Sequence, residues 1–296
     1  MTGSVMITGI TGMIGGRLGR TLADGDWEVH GVARFSKAHP SMDEVRSWGV
    51  TPWRCDLTTD SLDDLPDVDY LIHQACQWDA PKGEFDDPQD VVTMNTTMAL
   101  KVMYRWRDAD AAVLASTGGV ISESSEAATE NSPPDPGPEG YHLGKFAMEQ
   151  VGIACSAEFG TPATILRYYW PMDFDEYAAS YVAAASKGEP IPGTGAENPY
   201  RFAPIDLVDL CRYTVEALDL ADSPPTILLC GGPEIVSRRE LAQIAADELG
   251  VEPIFDDEPA NWPPFLSDSS RLFEILGEPE RHLPETVREV ARAARR

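Results

Sequence analysis

The sequence predicts an α/β protein built on a doubly wound parallel sheet, with a small C-terminal lobe. Two observations carry this. Along the first 170 or so of 296 residues, short runs rich in β-branched residues alternate with helix-length segments, which is the pattern of parallel strands joined by crossover helices. After Arg167 the alternation loosens into mostly helical segments.

Taken in order, the first strand is Ser4–Thr8, an apolar run that ends in glycines, and the first helix is Met13–Ala23. Strand Glu28–Ala33, helix Met42–Trp48, strand Thr51–Arg54 and strand Asp69–His73 follow. A long helix, Pro88–Arg107, leads to strand Ala111–Ser116. The Pro- and Gly-rich stretch Glu130–Gly140 reads as a loop before helix Gly140–Glu158 and strand Thr164–Arg167. Further on come helices near Glu176–Lys187, Ile205–Leu218, Ser237–Leu249 and Pro284–Ala294, with a late strand, Thr226–Leu229, that rejoins the sheet. The expected division is a first domain over 1–170 with a return segment at about 200–232, and a lobe over 171–199 and 233–296.

With 43% apolar residues the chain has enough material for a core. Five scattered cysteines match no zinc spacing and no disulfide framework. No basic segment followed by an apolar run opens the chain, and no apolar run reaches a membrane span. The expectation is a cytoplasmic protein, with a homodimer as the assembly entertained. Forty-nine acidic against 23 basic side chains give a net charge of −26, which repels nucleic acid and anionic membranes. This acidity is a plain solubilising surface or an adaptation to high salt; lysine scarcity favours the second, halophilic reading. A melting temperature that climbs from dilute buffer to molar potassium chloride is then expected, because salt screens the repulsion; a flat one refutes the salt reading.

The first strand runs into Thr8-Gly9-Ile10-Thr11-Gly12-Met13-Ile14-Gly15, with glycines at 9, 12 and 15. A tight strand-to-helix turn that lets backbone approach a pyrophosphate needs glycine, and the helix start offers N–H groups and a positive dipole end. Placed at the first strand–helix junction, this spacing reads as the dinucleotide turn of a Rossmann-type fold. Thr11, Gly12, Met13, Ile14 and Gly15 are therefore candidate cofactor contacts together with Gly9. The second strand ends Ala33-Arg34 where an NAD site usually has an acid. Arg34 suits the 2′-phosphate of NADP, so NADP is favoured with NAD left open; the alternative is a surface arginine that stacks on adenine.

Tyr141 and Lys145 stand at i and i+4, on one face of a helix. Nine tyrosines and five lysines in 296 residues give on the order of 0.15 such pairs by chance, so position matters more than spacing. A lysine charge beside the phenol is expected to lower its pKa, so that it exchanges a proton near neutrality. Ser116 and Thr117, at the end of the preceding strand, are candidates to polarise a substrate carbonyl and orient the tyrosine, or simply to satisfy backbone groups in a turn. Trp78, Tyr168, Tyr169 and Trp170 fall near the expected ligand edge of the sheet, as substrate platforms or as lobe packing.

At these positions the chain resembles the extended short-chain dehydrogenase/reductases, the NAD-dependent epimerase/dehydratase family, over roughly residues 4–250. The resemblance rests on the Thr8–Gly16 turn, Asp56-Leu57, His73-Gln74-Ala75, Asn95, Ser116-Thr117 and Tyr141/Lys145. It continues through Leu166-Arg167-Tyr168-Tyr169, Ile205-Asp206-Leu207-Val208-Asp209-Leu210 and Gly231-Gly232-Pro233-Glu234. It implies that Asp56 and Leu57 line the adenine site and that Gln74, Ala75 and Tyr168 lie along the cofactor. It implies Thr117 as the catalytic hydroxyl with Ser116 beside it, and Asn95 in a structural and proton-relay role. Two departures from the sugar-nucleotide branch stand out: Trp170 where an Asn is usual, and Pro199 where an Arg is usual. The expected function is NADP-dependent hydride transfer at a secondary alcohol, hemiacetal or ketone, with a free-monosaccharide 1-dehydrogenase as the specific form. The alternatives are a sugar-nucleotide epimerase/dehydratase with bound NAD, and a non-catalytic NADP sensor. Substrate contacts fall to Trp78, Thr117, Tyr169 and Trp170, and no metal is expected.

Overall fold

A computed structural model describes residues 2–78, 88–121, 126–137, 140–191, 193–195, 200–256 and 264–295. Pro199 lies outside them. The chain divides into two compact units, Met1–Ser122 with Pro134–Arg167 and Tyr213–Leu228, and Glu123–Pro133 with Tyr168–Arg212 and Leu229–Arg296.

The first unit alternates strand and helix as the pattern demands. In order these are β1 (Ser4–Thr8), α1 (Met13–Ala23), β2 (Glu28–Ala33), α2 (Met42–Ser47), β3 (Thr51–Arg54), β4 (Tyr70–His73), α3 (Pro88–Arg105), β5 (Ala111–Thr117), α4 (Gly140–Phe159) and β6 (Ala163–Tyr168). The seven strands of the sheet lie in the order β10-β6-β5-β4-β1-β2-β3, where β10 is Thr226–Cys230. β1 pairs in parallel with both β2 and β4. The winding therefore reverses between β1 and β4, and the crevice beyond their carboxyl ends is where an open α/β sheet takes its ligand. β5 is buried along its whole length, as a central parallel strand covered on both faces must be. α3 and α4 pack on each other, and Met6, Leu71, Leu114, Met148 and Ile165 share one core. Where burial is lacking, capping holds the element: Ser41 and Glu44 form a reciprocal capping box at the start of α2.

The second unit holds the short strands β7 (Pro171–Met172), β8 (Arg201–Phe202), β9 (Ile205–Asp206) and β11 (Val236–Ser237). Its helices are α5 (Phe174–Lys187), the start of α6 (Leu207–Glu216) up to Arg212, α7 (Arg238–Leu249), α8 (Ser270–Leu276) and α9 (Leu283–Ala294). α5, α7 and α9 pack around Phe174, Tyr181, Leu241, Leu283 and Val287. No helix among the described residues is long and apolar enough to cross a membrane.

Candidate active site

The glycine turn closes over the switch point. Gly9 has φ +72°, and its N–H donates to Val32 O at 2.9 Å. A Cβ there would stand 2.9 Å from the backbone nitrogen of Ala75, beyond the end of β4, and a Cβ on Gly15 would run into the carbonyl oxygen of Gly9. Bare backbone is thus required at both positions. α1 starts after Gly12 with no side-chain cap and no acidic residue in its first turn, although acids outnumber bases by 49 to 23 in the chain. Its first N–H groups and dipole end are left for an anion, so the cradle fits a dinucleotide pyrophosphate.

A cavity of about 280 Å³ extends from this turn. Gly9, Thr11, Gly12, Arg34, Asp56, Leu57, Gln74 and Ala75, all expected contacts, line it. Met13 and Gly15 lie in the first turn of α1 together with Ile14. Sequence reasoning missed Phe35, Ser36, Lys37, His39, Cys76 and Gln77, which also line the cavity. Phe35 is buried at φ 48°, and this backbone turn leaves Arg34, Ser36 and Lys37 exposed on the rim. Asp56 accepts from the Thr58 backbone and hydroxyl. Those bonds, with the charges of Arg34 and Lys101, hold its carboxyl below the ordinary value.

Thr8 anchors the crevice from below. Its hydroxyl accepts from Ala75 N at 3.0 Å and shares a 2.8 Å hydrogen bond with His73 Nδ1. Burial, then the charge of Lys145, pushes His73 down to about 3, so it stays neutral.

β5 and α4 bring the proposed catalytic groups together. Thr117 accepts from Gly119 N at 3.2 Å and lies close enough to the Tyr141 phenol to favour its charged form. Lys145 is buried and donates to Ala115 O at 2.7 Å, with Met148 Sδ at 3.8 Å. The expected lowering of the phenol does not occur here. Burial, then the neighbouring Cys76, pushes Tyr141 up against the opposing effect of Thr117, and burial pushes Lys145 down. The lysine points its ammonium at the Ala115 carbonyl, and burial governs the phenol instead. Ser116 is not at the phenol: it donates to the buried Glu149 carboxylate at 2.5 Å. Asn95 accepts from Gln77 N and donates to Gln77 O and Val91 O. These bonds fasten the segment that carries Trp78 to α3. The Trp78 ring lies 4.5 Å from that of Tyr141 and is 64% exposed.

The sequence profile of the NAD dependent epimerase/dehydratase family matches residues 5–172. The chain belongs to this family. No curated protein matches it. Solved structures similar to it include the UDP-glucose 4-epimerase of Thermus thermophilus with NAD, 22% identical over 97% of each chain with a TM-score of 0.76. The UDP-N-acetylglucosamine 4-epimerase of Methanobrevibacter ruminantium is 20% identical over 98% of this chain and 97% of that one, with a TM-score of 0.79. The UDP-glucuronic acid 4-epimerase of Bacillus cereus is 20% identical over 98% and 99%, with a TM-score of 0.77. The fold is theirs, and the chain is an extended short-chain enzyme of NAD(P) type.

In the second unit of this epimerase/dehydratase-family chain the aromatic candidates take the packing alternative. Tyr169 is 1% exposed and stacks on Phe265, so its ring is committed to packing. Trp170, at φ 42°, packs against Tyr200 and Phe202 and donates to the Tyr200 hydroxyl. Tyr168 is buried within β6. The apolar surface of such rings is why packing wins over display. Of the aromatic candidates, Trp78 alone stands open beside the phenol. The Ile205–Leu210 motif has a structural use: Asp206 accepts from Phe174 N and Val208 N. Asp209 accepts from Glu280 N and Arg281 N. Among the described residues no cluster of His, Cys, Asp or Glu could hold a metal.

Proposed function

We propose that this chain is an NAD(P)-dependent oxidoreductase that moves a hydride at a secondary carbinol carbon of a sugar. The observation that carries the reading is the convergence of Thr117, Tyr141 and Lys145 in the unit that holds the glycine cradle. When bound, a nicotinamide dinucleotide supplies the hydride acceptor or donor. Gly9, Gly12 and the start of α1 would hold its phosphates, Asp56 and Leu57 the adenosine side, and Lys145 the nicotinamide ribose. Tyr141, kept protonated by burial, gives its proton to a carbonyl oxygen in reduction and recovers it in oxidation. Thr117 orients the phenol, and Trp78 offers its face to the CH groups of the sugar ring.

The fold shared with UDP-sugar epimerases supports a sugar nucleotide as substrate, with the cofactor retained through the reaction. A second reading, oxidation of a free monosaccharide at its anomeric carbon with exchangeable NADP, is supported by the rim. Arg34 and Lys37 stand exposed on the cavity in a chain with only five lysines, a setting suited to a 2′-phosphate. Arg34→Ala is expected to weaken NADP by about 1.5–3 kcal/mol and NAD by less; equal losses in a fluorescence titration remove the NADP preference. A panel of UDP-sugars, free aldoses and aromatic ketones with each cofactor decides the substrate. Turnover of UDP-sugars alone establishes the first reading, turnover of aldoses the second, and turnover of ketones alone removes the sugar.

A further inference from the structure

Glu149 and Arg167 form an ion pair sealed inside the first unit. Arg167 Nε donates to Glu149 Oε1 at 2.9 Å, and its Nη2 donates to Oε2 at 2.8 Å. Ser116 donates to the same Oε1. Glu149 is fully buried and Arg167 is 4% exposed. Such a pair adds little net stability, because desolvating two charges offsets most of their attraction. Stability therefore does not account for its presence, and its position suggests what does.

Tyr141, Lys145 and Glu149 stand at i, i+4 and i+8 of α4, which sets them on one helix face. The direct acceptors of the Lys145 ammonium are neutral, a carbonyl and a thioether. Glu149 is the carboxylate whose charge reaches it and favours its charged form. Around it from other elements are His73 at the end of β4, held neutral, and Cys76 just beyond, which favours the charged form ahead of Glu149. Tyr141 faces it from its own helix, one turn away, and Arg167 of β6 is the cation that Glu149 already carries. Ser116 precedes Thr117 on β5, so the bond that braces the carboxylate also fixes the strand end bearing the catalytic hydroxyl.

We propose that Glu149, braced by Arg167 and Ser116, is the positioning residue that keeps Lys145 a cation behind Tyr141. This rests on the reading that Lys145 and Tyr141 serve a bound dinucleotide. The test needs no turnover. Five lysines give five signals in a chain labelled with [ε-¹³C]lysine, and Lys145→Arg identifies the one in question. In Glu149→Gln the carboxylate is gone and the Arg167 charge is left uncompensated, so the Lys145 titration midpoint falls by about one to three pH units. In Arg167→Met the carboxylate is left to Lys145 alone, and the midpoint rises. Ser116→Ala keeps both charges and moves the midpoint up by less, which preserves the test if either charge variant fails to fold. Both charge variants lose stability, so a purely structural pair moves the two midpoints in the same direction or leaves both in place; either result overturns the proposal. Titration of NAD and of NADP into the wild type, followed by tryptophan fluorescence, tests the underlying reading separately. Absence of binding removes the dinucleotide and leaves the lysine midpoints to judge the counter-ion.

Discussion

Tyr141→Phe loses turnover by about 10²–10⁴-fold while dinucleotide affinity stays near that of the wild type. The substitution removes one oxygen and keeps the ring, so the contact with Trp78 at 4.5 Å survives. What disappears is the proposed proton carrier beside Thr117. The pH dependence sharpens the test. Burial raises the phenol above its ordinary value, so the base form needed for oxidation accumulates only as pH increases. Oxidation by the wild type is therefore expected to accelerate toward alkaline pH, and the residual rate of the Phe variant to stay flat. A Phe variant with wild-type turnover would place the proton transfer elsewhere.

Gly9→Ala is the other large effect, and it is a backbone effect. At φ +72° an alanine sits in the left-handed region, at about 1–2 kcal/mol. Its Cβ would also meet Ala75 N at 2.9 Å and Ala75 Cα at 3.0 Å, an overpacking that typically costs about 1–3 kcal/mol. The sum, about 2–5 kcal/mol, corresponds to a melting temperature lower by on the order of 10 °C. Because β1, α1 and the end of β4 meet at this residue, cofactor affinity falls with it. Calorimetry and a binding titration on the same sample check both. Unchanged melting would show that the turn relaxes around the methyl group.

Much of the first unit is legible in the sequence because its strands are short, continuous apolar runs with turn residues at their ends. β1, β2 and β3 carry the expected boundaries, β4, β5 and β10 differ by one residue at one end, and β6 by one residue at each end. The two-residue strands β7, β8, β9 and β11 and the seven-residue α8 are too short to show a period. In the site, Tyr141, Lys145 and Thr117 were legible from spacing. The rim residues Ser36, Lys37 and His39 were not, because the positive φ that turns Phe35 inward leaves no pattern in a loop. Glu149 did leave a signal: a carboxylate four residues past Lys145, matched by an arginine inside the apolar strand Ile165-Leu166-Arg167. Tyr169 and Trp170 stayed open to two readings because large aromatics at a strand end serve packing as readily as ligands.

Of the five cysteines, Cys55, Cys155, Cys211 and Cys230 are buried and Cys76 is exposed, on the wall of the 280 Å³ cavity. Thiolate access governs alkylation, so a maleimide dye applied to the native protein marks this one position, with no need to engineer the other thiols away. Asn95 pins the neighbouring Gln77 backbone to α3, so the label rides on a fixed tether rather than a loose loop. The molecule thus comes with its own optical reporter, seated where arrival of a dinucleotide changes the surroundings of the dye.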